Sequence, residues 1–186
     1  MKRTLASVIA TVLMCLCFAG TTFAWLVAKT EPVKTTFTVG DINIMLAEHT
    51  SRNVKIVPGV TIEEDVHVTV FAKSEDCWLF IKVAKSENFD RFLSYEIDTD
   101  VWKTLLTDNE NGYTVYYREV SYSESDDQEF DVLLDDVVTA NSERTKDDYN
   151  ALNSSNYPTL TYTAYAVQRV GFETAQLAWE EAKKLG

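Results

Sequence analysis

Beyond the N-terminal apolar run, His49, His67 and Cys77 are the residues on which metal or nucleophilic chemistry would depend first. A zinc-peptidase centre needs two histidines one helical turn apart with a glutamate between them, so that both imidazoles reach one ion. These histidines are far apart in sequence, and neither lies on a helical pattern. Glu48-His49 and Glu63-Glu64 would have to meet in space, and surface residues at strand ends are the simpler reading. Cys77 stands next to Trp78 in an apolar run, which suits a buried structural thiol better than a nucleophile. No Gly-x-Ser-x-Gly elbow and no phosphate-cradling glycine loop occurs.

The acidic residues Asp126, Asp127, Glu129, Asp131, Asp135 and Asp136 offer oxygen ligands for a cation. They lack the ligand spacing and turn glycine of an EF-hand loop, so a solvated acidic loop is the default. Asp126, Asp127 and Asp131 stay as weak cation candidates. Asn153-Ser154-Ser155 fits a glycosylation sequon, which matters only in a eukaryotic secretory route. The nine Tyr, nine Phe and four Trp are most simply core and sheet-face residues, with a sugar-binding platform as the other use. The chemistry-bearing residues therefore predict a protein that is not an enzyme, with no catalytic residues, no cofactor and no metal.

The elements that hold these residues repeat with period two. Phe37 and Val39 alternate with threonines, Ile42, Ile44 and Leu46 with Asn43, Met45 and Ala47, and Val66, Val68 and Val70 with His67, Thr69 and Phe71. Residues 77–84, CWLFIKVA, are apolar on both faces and read as a central strand. Residues 112–120 alternate again behind the turn-like DNENG, and residues 158–168 form a strand opened by Pro158. The charge-dense 121–131, SYSESDDQEFD, reads as an exposed loop. Two helices are expected. Thr145 and Asp148 make a capping-box start for one through Leu152. Ala175, Ala178, Trp179, Ala182 and Leu185 form one stripe of the other, with Lys183 and Lys184 in its last turn. The expected fold is mainly β: a jelly-roll or β-sandwich of antiparallel strands with a few short helices, including a C-terminal one.

Residues 1–24 carry the three-part pattern of a secretory signal peptide. Lys2 and Arg3 precede an uncharged run from Leu5 to Phe18, and the small residues Thr22 and Ala24 set a cleavage point before Trp25. The alternative is a retained anchor, because Trp25-Leu26-Val27-Ala28 extends the apolar run to the ~20 residues of a bilayer span. Lipidation at Cys15 or Cys17 fits less well, since small residues do not precede them. Cleavage removes Lys2 and Arg3 from the 17 basic residues and none of the 29 acidic ones, deepening a formal charge already at −12. That balance repels nucleic acid and anionic membrane surfaces. Of three cysteines only Cys77 is left after cleavage, so no intrachain disulfide forms; this suits export by a Gram-positive route.

The run TTFAWLVAKTEPVKTTFTVGDINIMLAE (21–48) resembles the TasA/camelysin-like family of secreted bacterial proteins processed by a SipW-type signal peptidase. The likeness rests on Thr-Phe-Ala-Trp at the cleavage zone, Phe37-Thr38-Val39-Gly40, and the Ile42/Ile44/Leu46 strand closed by Glu48. It continues through residues 54–83, with the Pro58-Gly59 turn and the Trp78/Phe80 strand, and through residues 160–179. Residues 90–155 carry no such match. The resemblance implies a secreted jelly-roll subunit of a biofilm-matrix or pilus-like fibre, extracellular and part of the cell-surface matrix. Its partners would be further copies of itself, head to tail, and the signal peptidase during export. Membrane contact would be made only through the signal peptide before cleavage. The protease activity described for camelysin-like members is not carried over, because the groups for it are missing.

In this reading residues 1–24 are signal peptide, 25–33 a donor strand, and 34–186 one β-sandwich domain. Trp25, Leu26, Val27, Lys29 and Val33 are the polymerisation residues, released when the bond after Ala24 is cut. Burying Trp25, Leu26 and Val27 contributes ~1.5–3 kcal/mol each, and ladder hydrogen bonds about 0.5–1.5 kcal/mol each. Ordering the tail costs ~1–2 kcal/mol per residue, so each joint is modest unless the acceptor is preformed. A heterologous joint of this kind generates filaments rather than closed dimers. The other reading is a membrane-anchored monomeric surface module that binds glycan or host protein.

Overall fold

The computed structural model describes residues 41–48 and 56–185. All of them belong to one compact unit, Val39–Gly186. They form ten strands: β1 (Ile44–Glu48), β2 (Thr61–Glu63), β3 (Val66–Val70), β4 (Cys77–Lys85), β5 (Leu93–Ile97), β6 (Lys103–Asp108), β7 (Tyr113–Val120), β8 (Gln128–Asp131), β9 (Leu133–Ala140) and β10 (Leu160–Gln168). Three short helices join them: α1 (Phe89–Phe92), α2 (Lys146–Asn150) and α3 (Ala175–Ala182). Every strand pair is antiparallel, and the sheets stack as a β-sandwich without closing into a barrel.

One layer has the order β10-β4-β7-β6. The other is built from two three-stranded sheets, β1-β3-β8 and β2-β9-β5, which run into each other. The Val132 N–H donates to the Val66 carbonyl at 2.9 Å and the Glu64 N–H to the Asp136 carbonyl at 2.7 Å. Thus β2 and β3 act as one kinked strand against β8 and β9. The kink is taken up by extra residues in β9, where Asp135 and Asp136 are both left-handed, at φ 57° and 53°. Aspartate tolerates that region better than most residues because its short side chain bonds locally.

Alternation decides what each face buries. In β4, Cys77, Leu79, Ile81 and Val83 point into the space between the layers, against Val66, Val68 and Val70 of β3. Trp78 and Phe80 point the other way, under α3, with Val115, Val167, Ala178, Trp179 and Ala182. Strand β4 is therefore apolar on both faces because both faces are covered, as its sequence demands. The Trp78 Nε1–H donates to the Phe172 carbonyl at 3.1 Å, tying the α3 approach to the sheet.

The local signals hold where they were strongest. Thr145 accepts from the Asp148 N–H while the Asp148 carboxylate accepts from the Thr145 N–H, so the expected capping box starts α2. Thr174 caps α3, and four residues of the expected stripe, Ala175, Ala178, Trp179 and Ala182, are buried. One expectation fails. Residues 121–131 are not all loop, since Gln128–Asp131 form β8 on β3. Phe130 points inward and packs on the core while Glu129 points outward, so a charged strand passed for a loop.

Candidate functional site: the open edge of β10

The signal-cleavage residues Thr22, Ala24 and Trp25, the donor residues Leu26, Val27, Lys29 and Val33, and His49 lie outside the described residues.

The other chemistry-bearing residues serve local structure. Asp127 accepts from the Ala72 N–H at 2.8 Å, joining the β7–β8 loop to the turn after β3. Asp126 accepts from the Ser125 hydroxyl at 3.0 Å. The Asp131 carbonyl accepts from the Trp102 indole N–H at 2.7 Å. No group of three or more His, Cys, Asp or Glu among the described residues is placed to hold a metal. His67 lies opposite Asp131 in the β3–β8 register, its Nδ1 3.1 Å from Asp65 and its Nε2 3.6 Å from Glu129. Cys77 is buried, and desolvation, with Asp76 beside it, pushes its thiol up to about 11. It is protonated at neutral pH and unsuited to nucleophilic work.

A sandwich of this order has two seams, with β1 facing β10 at one and β5 facing β6 at the other. Exposed strand edges invite pairing, and proteins usually blunt them with charge, bulges or short length. Among the described residues the edges of β6, β5 and β1 are blunted. Strand β6 begins at Lys103, ends at Asp108 and bulges between Thr104 and Leu106. Strand β5 is five residues long and carries Glu96, and its register with β9 shifts between Tyr95 and Ile97. Strand β1 is short and ends in Glu48.

Strand β10 is different. All nine of its residues pair with β4 in unbroken register, and LTYTAYAVQ contains no charge and no proline. Among the described residues its other edge has no strand partner. Its inward side chains, Leu160, Tyr162, Ala164 and Ala166, are only half-buried, as are Ile42, Ile44 and Leu46 along β1. The two rows line an apolar seam. The Tyr162 hydroxyl is buried there without a hydrogen-bond partner, and burial, with Glu64 next in effect, drives its ionisation well above the ordinary phenol range.

Sequence reading placed this strand but not its edge status, because edge or centre depends on pairing between residues distant in the chain. The available signal was the lack of charge over residues 160–167, which sets this strand apart from the other edges. No family model, curated protein or solved structure matches the chain.

Proposed function

We propose that the protein is a secreted structural subunit of an extracellular fibre of the TasA-like kind, joined head to tail when the freed N-terminal segment of one subunit adds to the β10 edge of the next. The observation that supports it is the unblunted β10 edge beside a half-buried apolar seam. Strand addition of this type draws affinity from main-chain bonds and specificity from alternate side-chain pockets. Residues 25–33 match β10 in length, and Trp25, Leu26 and Val27 supply the apolar side chains that a seam lined by Ile44, Leu46, Tyr162 and Ala164 would bury. Pro32 limits the ladder, since it has no N–H to give. A preformed acceptor reduces the ordering cost to that of the donor alone, which is what makes a short tail sufficient. Signal cleavage then acts as the assembly switch.

The test compares residues 25–186 with a chain starting at Val33, and with Thr161→Lys/Thr163→Lys in the longer chain. Thr161 and Thr163 are exposed on β10, so lysines there blunt the edge without entering the core. Electron microscopy is expected to show filaments only for the unmodified 25–186 chain, with urea midpoints alike in all three. Equal polymerisation of all three, or of none under any condition, overturns the reading. N-terminal sequencing of the exported protein tests the switch: a chain beginning at Trp25 agrees with it, and one beginning at Met1 or Lys2 supports the anchored monomer.

A further inference from the structure

The second seam is built from different chemistry. Inner faces of packed sheets are normally apolar. Near the β5/β6 edge the inner face of the β6–β7 pair instead carries Thr104, Thr114, Tyr116 and Arg118. The layers part here around an open groove of about 490 Å³, lined on the β5 side by Ser94, Tyr95 and Glu96 and on the other by Thr104, Thr114 and Tyr116. That volume falls within the ~300–1,000 Å³ of small-ligand sites. Two smaller recesses, of about 340 and 230 Å³, share Ser94 with it, so polar hollows follow β5 on more than one side.

The groove's polarity narrows its occupant. Lys85 reaches both carboxylate oxygens of Asp90, at 2.8 and 2.7 Å, and so neutralises that pair. Glu96 is the other charged group of the lining. An anion would meet Glu96 with no unpaired cation to offset it, and a hydrocarbon would strand the threonine and serine hydroxyls. Tyr95 and Tyr116, both packed against the core, set two aromatic rings in the lining between the hydroxyl-bearing walls. Hydroxyl groups around ring faces suit a ligand that is hydroxylated at its rim and hydrocarbon on its faces, as a sugar ring is.

We propose that this groove binds a neutral oligosaccharide, with Tyr95 and Tyr116 against a sugar ring and Ser94, Thr99, Thr104, Thr114 and Glu96 on its hydroxyls. The site is separate from the β10 edge, so it does not depend on fibre assembly. The exported protein is titrated calorimetrically with the β-1,4-linked hexaoses of glucose and of N-acetylglucosamine, and each complex is footprinted by amide hydrogen exchange. Saturable binding of at least one hexaose is expected, with protection confined to β5 and the β6–β7 pair. Thr104→Val/Thr114→Val, nearly isosteric, is expected to weaken it about tenfold or more with little change in urea midpoint, while Thr161→Val on β10 leaves it intact. Failure of both hexaoses to bind at millimolar concentration, protection elsewhere, or unchanged affinity in the double variant overturns the proposal.

Discussion

The Arg169 guanidinium lies 2.5 Å from an Asp76 carboxylate oxygen, and the Arg169 backbone N–H donates to the Asp76 carbonyl at 2.7 Å. The second Asp76 oxygen accepts from the Tyr122 N–H, also at 2.7 Å. One aspartate thus fastens the end of β10, the β3–β4 turn and the start of the β7–β8 loop. Both charged side chains are about a third exposed, so the ion pair contributes only ~0–1 kcal/mol. Loss of the N–H acceptor costs about 0.5–1.5 kcal/mol on its own. Asp76→Asn, which keeps an acceptor, is therefore expected to cost less than Asp76→Ala in urea unfolding. Equal losses would show that the Tyr122 bond contributes nothing.

Trp179 carries the contact between α3 and the sheet. Its ring centroid lies 5.4 Å from that of Phe80 and 5.3 Å from that of Tyr165, and the residue is 2% exposed. Trp179→Ala is expected to cost about 3–5 kcal/mol, a large share of a domain's ~5–15 kcal/mol. The indole N–H, however, is buried with no hydrogen-bond partner. Trp179→Phe loses area but removes that unmet donor, so it should retain most of the stability. Urea midpoints of the two variants check this, and a Phe variant as unstable as the Ala variant would refute it.

Gly112 closes the β6–β7 turn. Asp108 accepts from the N–H groups of Glu110 and Asn111, at 3.1 and 3.0 Å, and Gly112 follows at φ +68°. A Cβ at Gly112 would stand 3.1 Å from the Lys85 carbonyl oxygen. Gly112→Ala thus meets an unfavourable dihedral and a tight neighbour, and is expected to cost about 1 kcal/mol or more. Gly112→Asn should cost less if the dihedral dominates, because Asn visits that region more readily. Equal costs would assign the effect to the Cβ contact.

The strands found in the sequence are those whose period was intact. Strands β3, β7 and β10 alternate, β4 is a run apolar on both faces, and the two predicted helices carried capping residues. Strand β9 was hidden because Asp135 and Asp136 turn left-handed in mid-strand, so LLDDVVTA no longer alternates. Strands β5 and β6 each contain a register shift. Strand β8 was obscured by the charges on its outer face. Of the candidate site, the apolar segment proposed as donor is a feature of local sequence, whereas an acceptor edge is a property of non-local pairing. The β5/β6 groove was not legible, because it joins residues from four strands that are scattered through the chain.

Asp136 sits in the β9 bulge with one carboxylate oxygen buried and unpaired. Burial is the main cause holding its carboxyl above the ordinary range; the Asp131 and Asp65 carboxylates add to it, while His67 works the other way. The folded state therefore binds this proton more tightly than the unfolded state. The stability it contributes is present when the group is protonated, below the unfolded value of ~3.9, and is lost as pH rises through the higher folded value. At neutral pH the charged Asp136 is a liability. Asp136→Asn is expected to raise the urea midpoint at pH 7, with the gain shrinking as the pH falls and nearly gone below about pH 4. Asn also tolerates the 53° dihedral, which would give a part of the gain that does not vary with pH. A wholly pH-independent gain would assign the effect to the backbone alone. A loss at pH 7 would show that the carboxylate is engaged in a stabilising contact.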